Sequence, residues 1–152
     1  LGVRAEGTAV EQGRIDPRAY EQVARIIHRQ FPNLQHVAIT LRESVSASHN
    51  RWGAMLYDAE TDRAWFAPVD PSGNYCPYEI TNIVDRVGAG DSFAAGLVYA
   101  LDSPQESSPG DAVRLAAAAS CLKHSIPGDM NFATLEESRA LAAGKTSGRV
   151  QR

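Results

Sequence analysis

The segment Val84-Asp85-Arg86-Val87-Gly88-Ala89-Gly90-Asp91-Ser92-Phe93 constrains this chain more than any other stretch of its 152 residues. The run from Tyr78 to Val84 has β-branched content and reads as a strand, and Asp91 to Leu101 reads as an apolar helix. Between them two glycines flank one alanine, so the backbone can turn tightly and let a ligand come close. The first N–H groups of a helix have no partner inside it and carry partial positive charge. Such a corner suits an anion, and Asp91 adds a carboxylate at the same place.

A carboxylate beside an anion repels it unless it has a task. Accepting the proton of a hydroxyl that attacks a phosphoryl group is one such task, with backbone amides steadying the charge on the transferred phosphate. The plain alternative is a strand–turn–helix corner in which Asp91 only caps the helix. Residue physics alone leaves both open. Two other phosphate motifs are set aside. A dinucleotide fingerprint needs a glycine at position 93, which is Phe93, and a P-loop ending at Gly144-Lys145-Thr146 needs one at 139, which is Arg139.

Elsewhere the chain alternates helical and extended segments. Asp16-Pro17 starts a helix that runs to about Gln30, with Tyr20, Val23, Ile26 and Ile27 on one apolar face. Val37–Leu41 is a short buried strand, and Arg51–Tyr57 with Ala64–Ala67 form a hairpin through a polar turn. Helices follow at Asp111–His124 and from Thr134 to about Ala143, and residues 1–16 and the basic tail 144–152 read as irregular. The expected class is α/β: a Rossmann-like layered sheet flanked by helices, with a hairpin at one edge.

A net charge of −3 gives no support to a nucleic-acid partner, and no apolar run is long enough for a membrane span. Residues 1–6 carry no secretory leader pattern. The two cysteines fit a reducing cytoplasm, with Cys121 as a buried thiol and Cys76 in a Gly/Pro-rich loop. The four histidines, at 28, 36, 49 and 124, lack metal-ligand spacing. His49 and Asn50 are candidates to line a ligand pocket, and Arg86 either reaches a phosphate or pairs with a surface carboxylate.

Asp85–Phe93 closely resembles the signature of the PfkB, ribokinase-like carbohydrate kinases, usually Asp-Thr-x-Gly-Ala-Gly-Asp-x-Phe, with Arg86 where Thr is common. The resemblance implies that Asp91 is the catalytic base and that the Gly88, Ala89 and Gly90 amides form an anion hole. Asp85 would shape the turn or help with a magnesium shell. It implies ATP and Mg²⁺ as cofactors and a small sugar or sugar acid as substrate. Val37–Leu41 sits where the family has a strand ending in Thr-x-Gly, which makes Thr40 and Arg42 candidates for nucleotide contact, with Arg42 standing at the glycine position. Alanines 116–119 lie in a helix the family packs near adenine, and core packing explains them equally well. Thr40–Ser44, Asp85–Gly88 and Lys123–Asp129 together look like the 2-keto-3-deoxygluconate kinase branch, with Asp129 either approaching the sugar or lying in a solvated turn.

Family members run to about twice this length. Their sugar-binding residues, lid and Asn-x-x-Glu motif would lie outside these residues, and residues 1–84 contain no Asn-x-x-Glu. The chain is therefore expected to be the C-terminal nucleotide-binding and catalytic part of such a kinase, with little activity alone. Apolar surface left uncovered gives a tendency to form a homo-oligomer.

Overall fold

The structure, a computed structural model, describes residues 15–145 except 107. The irregular start expected at 1–16 and the basic tail therefore lie almost wholly outside the described residues. The elements are α1 (Pro17–Gln30), β1 (His36–Ser46), β2 (His49–Asp58), β3 (Arg63–Ala67), β4 (Tyr78–Ile80), α2 (Ala89–Asp102), α3 (Pro109–Lys123) and α4 (Leu135–Ala142).

β2 is the centre of the sheet. It pairs antiparallel with β1 along its whole length, with β3 over Ala54–Asp58 and with β4 over Asn50–Trp52. Because β1 fills one side of β2, β3 and β4 share the other side end to end. The expected hairpin is β2–β3. Its outer strand lies at an edge, while its inner strand is covered on both faces and buried from Trp52 to Asp58.

Strand alternation sorts side chains into two cores. Val37, Leu41, Met55 and Tyr57 face α1 and pack with its Ala24, with Tyr20 and Ile27 at the margin. α1 begins as its sequence demands: the Asp16 carboxylate accepts from the Arg18 amide at 3.0 Å and Pro17 opens the first turn. On the opposite face Ala54, Leu56 and Ala67 pack against Phe93 and Leu97 of α2 and Val113, Leu115 and Ala116 of α3. The molecule is thus layered as helix, sheet, helices, the flanked α/β arrangement expected.

The alanines of α3 have a visible purpose. A Cβ placed on Gly96 of α2 would lie 3.1 Å from Ala116 Cα and 3.4 Å from Ala119 Cβ, so the two helices touch nearly backbone to backbone. Small residues on both helices allow that approach, and core packing accounts for the stretch. α2 is apolar on its outer side too, where Val98, Tyr99 and Leu101 are exposed. A helix apolar all round belongs in the interior of a larger body. No helix among the described residues is long and apolar enough to cross a membrane.

Candidate functional site

Each residue of the Gly-Ala-Gly turn has a separate physical reason. Gly88 sits at φ 79°, ψ −2°, in the left-handed region. It also presses on the 126–130 loop, since a Cβ there would lie 1.9 Å from the carbonyl oxygen of Asp129. Ala89 turns its methyl into the core beside Ala118, Cys121 and Leu122. Gly90 faces open space, with nothing within 4 Å of where a Cβ would be. Phe93, two residues past Asp91, anchors α2 in the core.

The N-terminus of α2 stays open. No side chain caps it, and its first helical bond runs from the Ser92 amide to the Gly88 carbonyl at 2.8 Å. The amides of Gly90 and Asp91 precede that bond and so have no carbonyl within the helix to pair with. The Ala89 amide makes one long contact, 3.4 Å, to the Arg86 carbonyl. Asp91 is exposed in the first turn and forms no ion pair with any described residue. A compact anion fits here: the donors are free, no side chain blocks Gly90, and the helix dipole favours negative charge.

The loop leading to this corner is fastened on several sides. The His124 carbonyl accepts from the Val84 and Asp85 amides at 2.8 and 3.3 Å. The Asp85 carboxylate accepts from the Val87 amide at 3.0 Å and from the Gly128 amide at 2.9 Å. Those N–H donors, Val87 first and then Gly128, hold Asp85 below the usual carboxylate range. Ser120 on α3 donates to the buried Ala89 carbonyl at 2.7 Å. Arg86 reaches neither phosphate-facing space nor a carboxylate. Its guanidinium donates to the carbonyls of Ser46 (3.2 Å) and Ala47 (2.7 Å) in the β1–β2 turn, tying that turn to the loop.

A pH effect follows from Asp85. Its carboxyl is more acidic folded than unfolded, so its contribution to stability is present above the unfolded value, about 3.9, and is lost as pH falls through the lower folded value. Asp85→Asn is expected to lower the melting temperature at pH 7, with the gap to the native chain closing in strong acid. A gap that stays constant with pH would contradict this.

The structure brings Asp85, Gly88, Ala89, Gly90 and Asp91 together with Asp129, which is exposed and meets Gly88 through its backbone. Thr40 and Arg42 stand apart on β1, opposite Ala54 and Trp52, and make no hydrogen bond with the loop. Of the two pocket candidates, His49 pairs with Glu79 at 2.5 Å. Asn50 is fully buried, with its Oδ1 3.5 Å from Arg86. A groove of about 520 Å³ lies elsewhere, between α3 and α4. Its Arg114 and Arg139 are already paired with Asp111 and Glu106, so it offers no free cation. Sequence reasoning assigned no individual part to Ser120, Lys123 or His124, although Lys123 and His124 fall in the segment that carries the branch resemblance.

The fold and this corner define a layered α/β protein in which a glycine turn leads into an open, uncapped helix N-terminus. Residues 64–135 match the model described as pfkB family carbohydrate kinase. The chain resembles the crystal structure of 2-dehydro-3-deoxygluconokinase from Thermotoga maritima, with a TM-score of 0.72 and 41% identity over 85% of this chain and 35% of that one. It also resembles a PfkB family carbohydrate kinase from Listeria grayi, with a TM-score of 0.67 and 30% identity over 84% of this chain and 35% of that one. An Enterococcus faecalis structure aligns with a TM-score of 0.64 and 25% identity, over 86% of this chain and 34% of that one. No curated protein sequence matches. Over the matched segment the chain belongs to the pfkB family of carbohydrate kinases, and it is closely related to the 2-keto-3-deoxygluconate kinase branch. It spans about a third of the length of these solved relatives.

Proposed function

We propose that this chain is the nucleotide-binding and phosphoryl-transfer part of an ATP-dependent sugar or sugar-acid kinase, acting on 2-keto-3-deoxygluconate. The observation that carries the reading is the open α2 N-terminus with an unpaired carboxylate in its first turn. In this reading the amides around Gly88, Ala89 and Gly90, joined by that of Asp91, hold the transferring phosphate. Asp91 takes the proton of the attacking sugar hydroxyl. Asp85 keeps the turn in shape through Val87 and Gly128. Asp129, against Gly88, lies on the substrate side. Thr40 and Arg42 are assigned to the nucleotide by the likeness of their strand to the family's Thr-x-Gly strand, and not by contact with the corner.

The open amides of the corner suit a phosphate group, which is the part of ATP this reading assigns to them. Mg²⁺ has no cluster of three or more acidic, histidine or cysteine ligands among the described residues. It would therefore be held largely by the nucleotide's own phosphate oxygens, as Mg²⁺ commonly is, where it supplies charge neutralisation. The substrate assignment draws on the Thermotoga maritima likeness. A second reading is nucleotide binding without turnover, favoured by the lack of an Asn-x-x-Glu in residues 1–84. Both readings require ADP at the α2 corner, and an ADP titration followed at the backbone amides tests that requirement.

A further inference from the structure

Lys123 is a chemical anomaly. It is the last residue of α3 and is 0% exposed, yet no carboxylate lies within ion-pair distance of it among the described residues. Its ammonium donates to one acceptor, the Ile126 carbonyl, at 2.9 Å. A buried cation costs stability unless its surroundings compensate, so its retention calls for a use. Its neighbours show one. The Ile126 carbonyl lies two residues before Gly128, whose amide holds the Asp85 carboxylate, and Asp85 in turn holds the Val87 amide beside Gly88. The next residue, His124, gives its carbonyl to Val84 and Asp85. The Lys123 charge also favours the ionised Asp85, as the smallest contribution, behind the Val87, Gly128 and Arg86 amides.

We infer that Lys123 is a positioning residue for the phosphate site: its buried ammonium sets the 126–129 turn against the Asp85–Gly90 loop and so fixes the aim of the α2 amides. The inference rests on the reading of that corner as the phosphate site. A simple helix end-cap would not need burial, because a lysine in the last turn can meet the terminal carbonyls from solvent.

The test is Lys123→Met, which keeps the length and removes the charge, with ADP and adenosine titrated separately into the 152-residue chain. Adenosine lacks the phosphates, so it reports general damage. The expected result is an ADP affinity lowered about tenfold, the size of one charge-assisted contact, with adenosine unchanged and faster hydrogen exchange at the Gly128 and Val87 amides. A folded variant with native affinity for ADP, or with ADP and adenosine weakened equally, overturns the inference. If the native chain binds neither ligand, the phosphate-site reading fails, and unchanged exchange at Gly128 and Val87 in the variant still overturns the positioning role. If Lys123→Met does not fold, the native chain carries the test. Gly128 and Val87 should be protected and gain protection with ADP, and unprotected amides there overturn the inference.

Discussion

Asp91→Asn is expected to cut sugar phosphorylation by about 10²–10⁴-fold, the usual worth of a positioned general base, while ADP binding stays intact. The measurement needs a chain extended to the length of its solved relatives, assayed with ATP, Mg²⁺ and 2-keto-3-deoxygluconate. The 152-residue chain alone is expected to show little turnover. The direction for binding follows from charge. The carboxylate stands beside the site proposed for phosphate, so neutralising it removes a repulsion and cannot weaken ADP by electrostatics. The fold should not suffer, because Asp91 is exposed and holds no ion pair with a described residue. A capping role alone would cost about 1 kcal/mol of stability at most on replacement, and Asn caps nearly as well as Asp. Full turnover in Asp91→Asn would therefore remove the base assignment and leave Asp91 as an acidic residue of the first turn.

Gly88→Ala is expected to damage the fold itself. The left-handed backbone costs an L-residue about 1–2 kcal/mol. The added methyl would also meet the Asp129 carbonyl at 1.9 Å and its carbon at 2.8 Å, both backbone atoms that can yield only if the 126–130 loop moves. Overpacking of that kind costs about 1–3 kcal/mol, which makes about 2–5 kcal/mol in all against a typical total of about 5–15 kcal/mol. The melting temperature should fall by about 5–20 °C in a domain of this size. Gly90→Ala is the contrast. Its methyl enters open space, so stability should hold, while the methyl stands where the phosphate is proposed to sit and ADP affinity should drop. Equal melting temperatures for the two variants would contradict the separate reasons assigned to the two glycines.

Much of this was legible in the sequence because its signals are local. Asp16-Pro17 and Thr134 mark helix starts that side-chain hydrogen bonds confirm, whereas α3 begins at Pro109 behind a Ser108 cap, two residues before the expected Asp111. Arg51–Tyr57 and Ala64–Ala67 read as the two strands of a hairpin around a polar turn, and Gly-Ala-Gly marked the corner. What stayed hidden depends on distant partners. β1 runs on to Ser46 through polar residues because β2 pairs with it, and Glu43, Arg51 and Glu79 form a charged ladder across three strands. β4 stops at Ile80, short of the expected Val84, because Val84 leaves the sheet to bond the end of α3. Arg86 found carbonyls in a turn forty residues away, and no pattern around it announces that. Nothing in the sequence marked Lys123 as buried, since burial of a charge is decided by what packs over it.

The central claim is that the α2 N-terminus is the phosphate site. It is tested most directly by titrating ADP into the 152-residue chain and following backbone amide resonances. The account predicts that the largest shifts fall on Gly88, Ala89, Gly90 and Asp91, with smaller ones at Gly128, and that adenosine leaves those four amides unmoved. Binding of ADP that shifts amides elsewhere and spares Gly88–Asp91 would contradict it.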